Sequence, residues 1–132
     1  MIAFDTNVLV RLLVEDDRRQ FDAALALLER VAEARETCYL SDAVLCETVW
    51  VLTSVYRARR ADVVGALTAL TADPRYGFDD VEAVREAIEG YESGRADFAD
   101  HLIGCRARRR GARTTYTFDR GLEGTEGFTL LR

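Results

Sequence analysis

A chain of 132 residues, 48% hydrophobic and with a single proline, is long enough to bury one core and short for two, so a single domain over residues 1–132 is expected. Its formal charge is -5, yet all 18 basic residues are arginine. The absence of lysine excludes P-loop NTPases and phosphoaspartate receivers and most haloacid-dehalogenase-type phosphatases, which use a lysine in the site. The acidic total argues against indiscriminate coating of nucleic acid, while leaving room for a local arginine cluster to meet phosphates.

Residues 1 to 5 read as a short buried strand, in which Ile2, Ala3 and Phe4 run into a turn-forming Asp5-Thr6-Asn7 that can cap a helix starting near Thr6. Apolar positions at three- and four-residue spacing (Phe21, Ala24, Leu25, Leu28, Val31, Ala32) predict an amphipathic helix from Asp17 to about Ala34. A strand from Thr37 to Leu40 ends at Ser41-Asp42, which can cap a helix from Ala43 to Tyr56; a further helix over 61–72 stops before Pro74. Tyr76 to Phe78 reads as a short strand, and Asp79-Asp80 would cap a helix from Val81 to about Glu92, broken by Gly94. A helix from Phe98 to Arg110 is ended by Gly111 and followed by strands at Arg113 to Phe118 and Phe128 to Leu131. Helices alternating with short apolar strands point to an α/β fold with a parallel sheet covered on both faces. GLEGTEG (121–127) follows a strand but opens no helix, so it lacks the context of a dinucleotide site.

Cys38, Cys46 and Cys105 are scattered and odd in number, which supports neither a disulfide framework nor a zinc site and implies a reducing cytoplasm. No basic leader precedes the apolar start, and no uncharged run approaches the roughly 18 residues needed to span a bilayer, so a cytoplasmic protein without membrane contact is expected.

Several acids sit where a core would not place them. In parallel sheets ligands gather at the carboxyl ends of strands, where Asp5 and Asp119 both fall; each could equally be a turn or cap residue. Glu47 stands in AVLCETVWVL, among apolar neighbours at one and at three to four residues, so its face of the helix is expected to point inward. A buried, unpartnered carboxylate costs several kcal/mol or takes up a proton. Asp97 and Asp100 lie three apart at a helix start, on nearly the same side; Asp97 alone could be the N-cap and Asp100 a first-turn acid. Carboxylates brought to one cleft without lysine or a nearby arginine make sense chiefly around a divalent cation, and all-oxygen ligation suits Mg²⁺ or Mn²⁺. His101 reads as a bystander. RARRRGAR (106–113) is either a set of cations complementing a helix C-terminus or a phosphate rail for RNA involving Arg106, Arg109, Arg110 and Arg113.

The segments DTNVL (5–9), S-x-x-V/L-x-E ending at Glu47, GRADFADHLIGCRARRRGA and TFDRGL (117–122), in this order along the whole chain, resemble the PIN-domain ribonucleases, and most closely the VapC-like toxins of type II toxin–antitoxin pairs. The resemblance implies a PIN-like three-layer sandwich, with a central parallel sheet of four to five short strands flanked by helices. It implies core acids Asp5, Glu47, Asp100 and Asp119, with Asp97 as an additional ligand and the D-x-L-I spacing favouring Asp100 over Asp97. Thr6, Asn7 and Thr117 match supporting positions. The implied activity is endonucleolytic hydrolysis of RNA with one or two Mg²⁺ ions (Mn²⁺ as the alternative), under control of a small antitoxin. Apolar side chains in excess from Val44 through Leu70 suggest a homodimer. The readings from other classes are a non-catalytic PIN-like module that binds metal or protein, and a metal-dependent phosphatase, the latter weakened by the lack of a second acid after Asp5.

Overall fold

A computed structural model describes every residue from Met1 to Arg132. The chain forms two compact units, Met1–Asp79 and Asp80–Arg132.

In the first unit the order is β1 (Ile2–Ala3), α1 (Thr6–Val14), α2 (Arg18–Glu33), β2 (Cys38–Tyr39), α3 (Asp42–Ser54), α4 (Arg60–Ala72) and β3 (Tyr76–Gly77). The strands form one parallel sheet in the order β1-β2-β3, with Ile2 opposite Cys38 and Cys38 opposite Tyr76. Each strand is two residues long, shorter than the apolar runs, because helix caps follow almost at once. Asp5 caps α1, Asp17 caps α2 and Ser41 caps α3, each side chain accepting the N–H three residues on at 3.0–3.1 Å. Such caps satisfy otherwise orphaned donors and contribute about 1 kcal/mol apiece. α1 stops at Glu15, whose left-handed backbone (φ 59°) closes the last turn onto the Arg11 carbonyl. Leu9, Leu28, Leu40, Leu45 and Leu67 make the centre of the core, and Phe4 meets Tyr76 edge-on with ring centroids 6.5 Å apart. Burial pushes the Cys38 thiol up to about 11 and the Tyr76 phenol up to about 12, so both are neutral and inert at ordinary pH.

The second unit holds α5 (Val81–Ser93), α6 (Phe98–Arg109), β4 (Thr115–Thr117), a 3₁₀ turn (Arg120–Leu122) and β5 (Phe128–Leu130). β4 and β5 pair in parallel with Tyr116 opposite Thr129. α5 and α6 pack closely because Gly90 removes a side chain at their contact, where a Cβ would lie 2.5 Å from His101 Nδ1; on α6, Gly104 likewise makes room for β5, where a Cβ would lie 2.7 Å from the Phe128 ring. Tyr91 and Phe98 close the contact edge-to-face at 6.2 Å. Gly111, as expected, ends α6 with a left-handed backbone (φ 100°). No helix is long and apolar enough to cross a membrane. The α/β architecture with short parallel strands is that anticipated from the sequence, its five strands hydrogen-bonded as a set of three and a set of two.

Candidate metal-binding site

In the second unit, Asp97, Asp100 and Asp119 line one open pocket of about 430 Å³. Local chain geometry delivers all three. Asp97 occupies the N-cap of α6, yet its side chain makes no capping bond. Instead Asp100, three residues on, folds its carboxylate back onto the Asp97 N–H, which is half of a capping box. Asp100 is half-buried, and its carboxyl is raised above the ordinary value first by burial and then by the negative charges of Asp97 and Asp119. The offsetting influences on Asp100 are the Asp97 N–H and His101.

Asp119 follows β4 and caps the 3₁₀ turn, accepting the Gly121 N–H on Oδ1 at 2.8 Å, so only one of its carboxylate oxygens is used by the fold. Its own N–H donates to Thr117 Oγ1 at 3.0 Å. A side chain at residue 121 would crowd this arrangement, with a Cβ 3.1 Å from Asp119 Oδ1. The chemistry of the donor set fits a hard divalent cation: three hard carboxylates share a pocket, one of them destabilised as an anion by the other two.

The first unit holds the remaining candidate acids. Asp5 is exposed and spends one oxygen on the Val8 N–H, so the cap reading is correct and still leaves the other oxygen available. Asn7, also exposed, shares with Asp5 a pocket of about 340 Å³ walled by Val8, Ala24 and Leu27. Thr6 is buried and belongs to the interior of the turn. Within neither unit do three acid, histidine or cysteine side chains already converge to metal-ligand distances.

Two expectations need correction. Glu47 does not face inward: the buried side of α3 is Leu45, Thr48, Val49 and Leu52, and Glu47 lies on the opposite stripe with Ala43 and Trp50, all exposed. Because α3 is apolar nearly all round, the sequence does not define its inner side, and Trp50, one of the apolar neighbours of Glu47, is 63% exposed. Nor are arginines distant from the acids. Arg95 and Arg120 line the pocket of Asp97, Asp100 and Asp119, and Arg11 lines that of Asp5, where it is held by Gln20 at 2.5 Å and Asp16 at 3.4 Å. Arg95, Arg120 and a further pocket acid, Glu123, went unnoticed because they belong to turns without periodicity.

The arginine run at the end of α6 divides. Arg106 and Arg109 pair with Asp80 at 3.6 and 2.6 Å, and Arg108 and Arg109 with Glu86 on α5. Arg110 and Arg113 are exposed and outside this network.

The PIN domain family model matches residues 2–127, and the chain belongs to that family. It is 23% identical over 120 residues to a VapC ribonuclease of Aquifex aeolicus (strain VF5), an alignment covering 91% of this chain and 88% of the relative. No solved structure gives a significant match.

Proposed function

We propose that residues 1–132 act as one PIN-like domain, a cytoplasmic Mg²⁺-dependent endoribonuclease and the toxin of a type II toxin–antitoxin pair, with Mn²⁺ as the alternative ion. The observation that carries this reading is the pocket in which Asp100 is raised by burial and by two neighbouring carboxylates, a strain that a divalent cation relieves. The likeness along most of the chain to a VapC ribonuclease supports RNA as the substrate and a small antitoxin as the partner.

In this reading Asp100 and Asp119 would hold the ion, with Asp97 as an additional ligand, and Asp5 and Glu47 are the further candidate acids. When bound, the cation supplies a hydroxide at neutral pH and stabilises the charge that develops on the phosphate. The chain's own contribution is preorganisation. Thr117 and the Gly121 N–H fix the backbone and one oxygen of Asp119, and the Asp97 N–H fixes Asp100. Asn7, in the first turn of α1 and lining the same pocket as Asp5, would orient Asp5 or an attacking water. The exposed Trp50 on α3 and Val55 at its C-cap support a homodimer through this part of the chain.

The test is cleavage of purified RNA. Mg²⁺ or Mn²⁺ should support it, a chelator should abolish it, and Asp5→Asn, Asp100→Asn and Asp119→Asn should each lower it by at least about 100-fold. Induced cells should arrest with the natural chain and grow with Asp5→Asn. Equal growth, with RNA left intact, would favour a PIN-like module that binds without cutting.

A further inference from the structure

Two large aromatic side chains, two residues apart at the end of β4, stand in water. Tyr116 is 60% exposed and Phe118, one residue beyond the strand, is 79% exposed, while Thr115 and Thr117 on the alternate side are half-buried. An exposed aromatic pair forgoes the burial that normally stabilises such residues and is a common mark of an interaction surface.

Its neighbours indicate what covers it. Phe118 directly precedes Asp119 of the carboxylate pocket. Arg113 before the strand and Arg120 after it are both exposed, and neither belongs to the ion pairs that tie Arg106, Arg108 and Arg109 to Asp80 and Glu86. Two free cations therefore bracket two free rings. At the rise of a strand, rings two residues apart are separated by about 6.7 Å, room for one base on each. Aromatic faces flanked by arginine form the stacking surface used on unpaired nucleic acid, where every base offers a π-face and the backbone offers charge.

We propose that Tyr116 and Phe118 form a platform on which two unpaired bases of single-stranded RNA stack, with Arg113 and Arg120 holding the flanking phosphates, so that the strand is led onto the pocket of Asp119. The proposal rests on the ribonuclease reading for the fate of the RNA, but the platform itself is a binding surface and is tested without catalysis.

The probe is a short fluorescent oligouridine titrated in the presence of chelator at low ionic strength. Phe118→Ala and Tyr116→Ala should each weaken binding by about 5- to 150-fold. Phe118→Trp should keep the affinity, and Phe118→Leu, equally apolar but without a π-face, should lose it as alanine does. Arg113→Ala and Arg120→Ala should each lower the slope of log affinity against log salt by about 0.7. A duplex RNA, whose bases are already stacked, should not distinguish Phe118 from Leu. Thermal unfolding of each variant should match the natural chain, since the positions are exposed.

Wild-type affinity in Phe118→Leu would overturn the platform, as would a change in self-association of that variant in sedimentation without any change in RNA affinity, which would assign the surface to a protein partner. RNA cleavage that continues with unaltered oligouridine affinity in Phe118→Leu would remove the platform and leave the nuclease. Aromatic-dependent binding without cleavage under any divalent ion would do the reverse.

Discussion

The Asp119 N–H donates to Thr117 Oγ1 at 3.0 Å, so a hydroxyl at the end of β4 sets the backbone from which the pocket carboxylate departs. Displacing a reacting group by an ångström can cost about 100-fold in rate. On the ribonuclease reading, Thr117→Val should lower RNA cleavage by roughly 10- to 100-fold with a stability change of only about 1 kcal/mol, and Thr117→Ser should restore most of the activity. Equal rates for the valine and serine variants would dissociate the hydroxyl from the positioning of Asp119.

Gly90 lies inside α5, where alanine would ordinarily be favoured by about 1 kcal/mol. Here a Cβ would stand 2.5 Å from His101 Nδ1. Gly90→Ala is therefore expected to destabilise by roughly 1–3 kcal/mol, read from denaturant midpoints, because the imidazole must leave its position. Adding His101→Ala should recover most of the loss; an unrecovered double variant would place the cost elsewhere.

Thr48 is fully buried in α3 and its hydroxyl finds no partner, whereas Thr53 on the same helix donates to the Val49 carbonyl at 2.9 Å. Replacing a buried unsatisfied hydroxyl by a methyl of like shape removes a desolvation penalty. Thr48→Val should raise unfolding stability by about 1 kcal/mol at unchanged denaturant slope, and a loss of stability would reveal a bonding role for the hydroxyl.

Asp80 caps α5 through the Ala83 N–H and takes Arg109 at 2.6 Å, so its carboxyl is held below the ordinary value, first by the cap bond and then by the arginine. A depressed carboxyl contributes stability that is complete above its unfolded pKa of about 3.9 and is lost as pH falls through the lower folded value. Asparagine keeps the capping oxygen without the charge. The stability difference between the natural chain and Asp80→Asn should be constant from neutral pH to about pH 5 and shrink below about pH 4 in acid-unfolding curves. A difference that persists undiminished in strong acid would deny the charge any part in it.

The sequence alone determined the succession of helices and strands, because caps such as Asp5, Asp17 and Ser41 and stops such as Gly111 act on their own next few residues. It also singled out Asp97, Asp100 and Asp119, since acids at strand ends and helix starts stand out against apolar periodicity. Strand lengths were overestimated, as apolarity persists into turns that no longer pair. Only the tertiary structure decided which side of α3 is buried, turning Glu47 and Trp50 outward, because a helix apolar on every side has no preferred face until neighbours supply one. It alone divided the arginines at the end of α6 and just beyond it, pairing Arg106, Arg108 and Arg109 with Asp80 and Glu86 and leaving Arg110 and Arg113 to solvent, since the two acids lie more than 20 residues away in the chain and Coulomb attraction follows distance in space.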